Sequence, residues 1–228
     1  MLNITHEDCM DLMARYPDKY FDLAIVDPPY GIDTAVERGT GRYAEKYIPR
    51  GKKWDKTPPE NYFTELFRVS DHQIIWGAQY FNLPIRRGWI CWYKTDEVRG
   101  RSFSEFELAW TSWNKAARHY SLKPFLKDGK RYHPTQKPVQ LYGWLLSTYA
   151  RPGWTILDTH LGSGSGSSAI ACHNMGFDLV ACEIDQDYYL NSKQRIEEHI
   201  QQQELFSTKE YQVRLREVEL FEELRGAQ

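Results

Sequence analysis

The chain has no run of about 18 apolar residues of the kind a spanning helix needs, which argues against a helical membrane span. Its first residues lack the basic and apolar regions of a signal peptide, so the expected location is the cytoplasm. Cysteine is sparse: Cys9, Cys91, Cys172 and Cys182 lie far apart and form no Cys-x-x-Cys pair. That excludes a disulfide framework and argues against a zinc site, and no metal is expected. Excess charge is also missing, since 29 Lys and Arg stand against 31 Asp and Glu for a net charge of −2. A uniformly basic nucleic-acid binder is thereby excluded, yet the average hides an asymmetry. Between Arg38 and Lys137 there are 20 Lys and Arg against 10 Asp and Glu. Such a face suits phosphates. At 228 residues the chain is expected to form a single domain, 1–228, without internal repeats.

What is present is organised around Asp22-Leu-Ala-Ile-Val-Asp27-Pro28-Pro29-Tyr30-Gly31-Ile32. Leu23 to Val26 form a short apolar run without polar alternation, the pattern of a strand covered on both faces in a parallel sheet. Pro28 and Pro29 fix φ and donate no N–H, so they end the ladder and hold Asp27 and Tyr30 in a stiff loop at the strand's carboxyl end. Open α/β sheets bind their ligands there. Asp and Pro also favour plain turns. The chemical alternative is specific: a carboxylate and a backbone carbonyl accepting both N–H groups of a nucleobase amine would localise its lone pair, with Tyr30 stacked on the base.

Either side of this loop the pattern alternates helices and strands. Asp8 suits the N-cap of a helix over Met10–Tyr16. Residues 33–56 are polar and basic, with Tyr43, Tyr47 and Trp54 interleaved, and residues 114–132 are again basic and irregular. Both are candidate nucleic-acid-contacting loops. Thr57-Pro58-Pro59-Glu60 predicts a helix start running to about Val69. Strands are expected near 73–76, 89–93 and 106–110, and a helix over 139–150 after His133-Pro134-Thr135-Gln136-Lys137-Pro138. Strand 153–158, the turn Thr159 to Gly166, helix 167–175 and strand 177–182 ending at Glu183 form a βαβ unit with a glycine-rich first turn. Asp187 suits the cap of the next helix, and 201–228 reads as a helical polar tail.

In that order, the Asp27-Pro28-Pro29-Tyr30 loop, the His133–Pro138 segment and the Asp158–Gly164 turn resemble the amino-methylating DNA methyltransferases of the β arrangement, in which the catalytic motif precedes the cofactor motif. The resemblance spans roughly residues 3–206. It implies an α/β fold with a doubly wound, mostly parallel sheet of seven strands, one of them antiparallel, and S-adenosyl-L-methionine as cofactor with S-adenosyl-L-homocysteine as product. It further implies that Asp8 contacts the cofactor's adenine amine, that Asp158, Gly162 and Gly164 shape the turn beside its methionine portion, and that Glu183 accepts from the ribose hydroxyls. Thr135 and Lys137 would close over the methionine end, with Asp27 also facing the cofactor. Asp27, Pro28, Pro29 and Tyr30 would hold a flipped-out adenine of double-stranded DNA while its amine takes the methyl group in line.

The sequence departs from the family in two places. Asp158-Thr159-His160 stands where Asp-Pro-Phe is usual, and only about 20 residues lie where the target-recognition insert normally falls. Asp at position 27 points to adenine N6 over cytosine N4, for which Ser is the commoner residue. Other readings are the N4 enzyme, a catalytically silent nucleic-acid-binding relative, and an NAD-dependent oxidoreductase using the same βαβ unit. A homodimer and a companion restriction nuclease stay open.

Overall fold

The computed structural model describes residues 1–32, 55–100, 104–124, 132–133 and 135–205. The apolar run Leu23–Val26 lies inside strand β2 (Phe21–Val26), where every residue except Asp22 is buried. β2 pairs in parallel with β7 (Thr155–Asp158) on one side and β3 (Ser70–Trp76) on the other. The whole sheet runs β1-β8-β7-β2-β3-β5-β4-β6, with β1 Leu2–His6, β4 Trp89–Tyr93, β5 Phe106–Thr111, β6 Arg118–Ser121 and β8 Asp178–Glu183. Among the described residues only β5 is antiparallel to its neighbours. The doubly wound, mostly parallel sheet expected from the sequence is thus present, with eight strands among the described residues where seven were expected.

The additional strand is β6, inside the stretch 114–132 read as irregular. It pairs in parallel with β4, and its residues are exposed apart from half-buried Tyr120, which stacks on Trp144 at 4.8 Å. An edge strand with one inward side chain carries almost no hydrophobic pattern. Residues 125–131 of that stretch, 33–54 of the first basic stretch and 206–228 of the expected tail lie outside the described residues.

Alternation along β2 sends its side chains into two cores. Leu23 and Ile25 join Ile74, Trp76 and Ile156 under α3 (Val139–Tyr149) and α4 (Ser167–Met175). Ala24 and Val26 join Ile75, Leu157 and Val180 under α1 (Cys9–Ala14) and α2 (Tyr62–Val69). Each fully buried aliphatic side chain contributes ~1.5–3 kcal/mol by the area it removes from water. Covering on both faces is why β2 shows no polar alternation.

Two helix starts differ from expectation. α2 begins at Tyr62, not after Thr57, because a residue preceding proline is pushed out of the helical region and Thr57-Pro58-Pro59 contains two such positions. The next helix, α5 (186–205), is capped by Asp185, not Asp187: its Oδ1 accepts from Asp187 N at 3.0 Å and Tyr188 N at 3.1 Å. Asp8 does cap α1, accepting from Met10 N at 2.7 Å.

Strand order reverses between β7 and β2, since β8 and β1 follow β7 outward on one side while β3 follows β2 on the other. Loops leaving the two strands therefore part and leave a crevice above their carboxyl ends. Among the described residues no helix is long and apolar enough to cross a membrane, and no group of three or more His, Cys, Asp and Glu could hold a metal ion.

Candidate active site

The crevice is a cleft of about 870 Å³. Asp27, 8% exposed, sits on its floor and binds side chains from three segments. Its Oδ1 accepts from the Tyr30 hydroxyl at 2.6 Å, and its Oδ2 accepts from Lys137 Nζ and from Ser163 Oγ. Lys137, 1% exposed, also lies 3.1 Å from Glu107 Oε2, and Lys94 lies 2.7 Å from Glu107 Oε1. The four groups form an alternating row, Asp27, Lys137, Glu107 and Lys94, with no net charge. Burial pushes the Glu107 carboxyl up, but the ammoniums of Lys137 and Lys94 outweigh it and hold the group at about 2. For Lys137 burial pulls down, and the carboxylates of Asp27 and Glu107 more than offset it, so its ammonium is held above the ordinary range.

Glu107 reaches this row because β5 is antiparallel, which brings its amino end to the carboxyl ends of β3 and β4. There Glu107 is in register with Trp92 and Phe106 with Tyr93. The direction of a strand is not written in its own residues.

Tyr30 is held on several sides. It stacks on Tyr80 at 5.1 Å and meets the edge of Phe81 at 6.1 Å. A Cβ placed on Gly77 would stand 2.0 Å from Tyr30 Cε1 and 2.4 and 2.5 Å from Cζ and Cδ1, the distances of an approach onto the ring face. Gly77 has φ +66 and follows the last residue of β3. Burial first, then the Asp27 carboxylate, pushes the Tyr30 hydroxyl well above its usual range, so it stays a donor.

On the other wall, the turn after β7 is left-handed through Leu161, Gly162, Ser163 and Gly164, with φ of 39, 61, 56 and 64°. Gly164 N donates to His160 O at 2.8 Å, and the Asp158 carboxylate accepts from His160 N at 3.0 Å and Gly162 N at 2.6 Å. A Cβ on Gly164 would lie 3.2 Å from Glu183 Oε2 and 3.2 Å from Tyr188 Cβ, so bare backbone faces this part of the cleft. Glu183, at the end of β8, accepts from Asp185 N at 2.9 Å, and burial pushes its carboxyl up to about 7. The Asp158 carboxyl is pushed up to about 6, also by burial.

Of the residues singled out in the sequence, Asp8, Asp27, Pro28, Pro29, Tyr30, Thr135, Lys137, Gly164 and Glu183 line this one cleft. Asp158 and Gly162 do not line it and lie beneath as scaffold, the carboxylate being taken up by backbone amides. Lys137 points to Asp27, and Thr135 Oγ1 lies 2.9 Å from His133 Nδ1. His160 lines the cleft, its Nδ1 2.9 Å from Thr159 Oγ1, which lies 2.6 Å from the Tyr62 hydroxyl. Burial pulls the imidazole down to about 4, so the ring in the usual place of Phe is neutral at pH 7. Gly77, Lys94, Glu107 and Ser163 were missed, although Ser163 lies between two glycines already singled out.

Comparison with known proteins yields a match of residues 75–194, just over half of the chain, to the N6/N4 methyltransferase family model described as DNA methylase. The type II methyltransferase M1.MboII of Moraxella bovis is 22% identical over 82% of this chain and 94% of its own length. Among solved structures, M1.HpyAVI in complex with SAM superposes with a TM-score of 0.55 at 20% identity, covering 86% of this chain and all of that one. The cytosine-N4-specific PvuII DNA methyltransferase superposes with a TM-score of 0.54 at 11% identity, covering 87% and 90%. These likenesses bear on the fold.

Proposed function

As the chain belongs to the N6/N4 family of DNA methylases, we propose that it transfers a methyl group from S-adenosyl-L-methionine to the N6 amine of a flipped-out adenine in double-stranded DNA. The observation that carries this reading is the hydrogen bond from Ser163, in the glycine turn, to Asp27, in the Asp-Pro-Pro-Tyr loop. It sets a cofactor-type turn and an amine-binding loop against each other on one floor, so donor and acceptor groups bound to them would be neighbours.

The residues present suit the cofactor. Gly164 exposes backbone beside Glu183, and any side chain there would fill the space between Glu183 and Tyr188. Glu183 would accept from ribose hydroxyls and Asp8, at the cleft wall, from the adenine amine, while Thr135 closes the side near His133. When bound, the cofactor supplies a methyl group on a positively charged sulfur.

Asp27 Oδ2 already receives Lys137 and Ser163, whereas Oδ1 receives the Tyr30 hydroxyl alone among the described residues. One acceptor position on Oδ1 is therefore available to an N–H of the target amine, and the Pro28 carbonyl can take the second. With both protons held, the nitrogen lone pair is turned out of conjugation with the ring and toward the methyl carbon. With the cofactor bound, its methyl group would pass to that nitrogen as the C–S bond broke, and the ammonium so formed, far more acidic than a free amine, would release a proton to water in the open cleft. Lys137 and Ser163 hold Oδ2, so the carboxylate of Asp27 orients the amine through Oδ1. Tyr30 and half-exposed Tyr80 offer the aromatic surface that offsets the few kcal/mol of unstacking a base. Position and fixed charge carry the rate.

The test is methyl transfer from labelled S-adenosylmethionine to unmethylated genomic DNA, followed by nucleoside analysis. N6-methyladenine is the expected product. N4-methylcytosine would keep the reaction and change the base, and no transfer despite saturable cofactor binding would overturn the reading in favour of a silent relative.

A further inference from the structure

Asp27 takes part in the proposed transfer only if its carboxylate plane faces the amine. The chain from it runs through Lys137 to Glu107 and Lys94, groups supplied by the 133–138 segment, β5 and the residue after β4. Lys137 is a long side chain with one ammonium, and nothing in its own backbone fixes where that ammonium stands. Two anions fix it. Its Nζ lies between Asp27 and Glu107, 5.2 Å from the centroid of the Trp76 ring, and the lysine itself is 1% exposed. Glu107 is in turn held from its other oxygen by Lys94, itself 5.4 Å from the Trp92 ring centroid.

We propose that Glu107 is a positioning residue for methyl transfer: it anchors Lys137, and through Lys137 it aims the carboxylate of Asp27. This rests on the amino-methyltransferase reading of the cleft. Neutralising Glu107 leaves Lys137 with one anchor, and the ammonium then follows Asp27 in place of restraining it. The carboxylate gains freedom to rotate about its Cβ–Cγ bond, and the amine it holds loses its line to the methyl carbon. Because the defect is in aim and not in cofactor contact, it falls on kcat.

The experiment compares wild type, Glu107→Gln, Lys137→Met and the double variant. Glu107→Gln is expected to lower kcat by about 100-fold, as for a misplacement of about 1 Å, while cofactor Kd by calorimetry stays within two-fold. In the double variant the loss should be no larger than for Lys137→Met alone, since Glu107 acts only through Lys137. Glu107→Asp, which keeps the charge, should recover most of the rate and serves if Glu107→Gln does not fold. Multiplicative losses in the double variant, a lost cofactor affinity in Glu107→Gln, or Glu107→Asp no better than Glu107→Gln would each overturn the proposal. A wild-type chain that methylates nothing would instead sink the reading on which it rests.

Discussion

Replacing Gly77 by Ala adds one methyl group, and the structure specifies what that methyl meets. The new Cβ would stand 2.0 Å from Tyr30 Cε1, where carbon atoms ordinarily sit about 3.5 Å apart, so the ring must retreat by roughly 1.5 Å. Such a shift takes the hydroxyl, now 2.6 Å from Asp27, out of hydrogen-bond range. Losing a hydrogen bond to a charged group is worth ~1.5–3 kcal/mol. Disturbing the stack on Tyr80 adds ~0.5–1.5 kcal/mol, and a side chain at φ +66 adds ~1 kcal/mol. Together these set an upper bound of ~5.5 kcal/mol on lost stability, with relaxation of the loop at the cleft mouth bringing it down. The activity loss should be sharper, at ~100-fold in kcat/KM for DNA, because the surface that receives the base has moved by more than 1 Å. Gly153→Ala supplies the control. Its φ is +85 and nothing lies within 4 Å of the added Cβ, so it carries the backbone strain without the collision. Steady-state kinetics, cofactor calorimetry and thermal melting of both variants give the answer. A Gly77→Ala protein with wild-type kcat/KM, or one no worse than Gly153→Ala, would falsify the placement of Tyr30 as a requirement of the site.

Part of this architecture is legible in the residues because its physical cause is local. β2 is readable since both its faces are covered, leaving an uninterrupted apolar run, and its end is readable since prolines cannot donate to a ladder. The turn after β7 is readable from Gly162 and Gly164, two of its four consecutive left-handed residues. β6 was missed for the opposite reason: Arg118-His119-Tyr120-Ser121 has its strand character from the free edge of β4, not from its own pattern. The start of α2 was misplaced because Thr57, Pro58 and Glu60 each suit a helix start singly, while Pro59 excludes it jointly.

The site divides in the same way. Asp27 and Tyr30 were legible from the loop that carries them, yet what holds them is not. Lys137 lies 110 positions from Asp27 and Ser163 lies 136 positions away, and no pattern within either segment names its partner. Glu107 looked like one polar residue in an aromatic strand, and only the reversed direction of β5 puts it on the floor of the cleft. Gly77 follows Trp76 with nothing beside it in the sequence to single it out. Its need for a missing side chain is set by a ring on another loop.

Other outcomes test the remaining groups. Asp27→Ala should abolish methyl transfer while leaving cofactor affinity within a few-fold, as measured by calorimetry; near-normal turnover would remove Asp27 from the mechanism. His160→Phe should leave the shape of the pH–activity profile the same as wild type between pH 6 and 9, because the imidazole, held at about 4, is already a neutral ring across that range; a rate loss confined to one limb of the profile would give His160 a proton-bearing role. Glu183 carries an opposite sign. Its carboxyl is raised from an ordinary 4.5 to about 7 by burial, so the folded protein without cofactor binds a proton that the unfolded chain has released. The stability this contributes is complete below about 4.5 and lost as pH rises through about 7, and it amounts to on the order of 3 kcal/mol at most. Glu183→Gln, neutral at every pH, should therefore melt higher than wild type at pH 8.5 and level with it at pH 4. Cofactor affinity should move the other way: ribose hydroxyls are best accepted by the ionised carboxylate, so wild-type affinity should rise as pH climbs through about 7 and the Gln variant's should stay low and flat. If both proteins show the same pH dependence of melting and of cofactor binding, Glu183 is neither the buried acid nor the ribose acceptor.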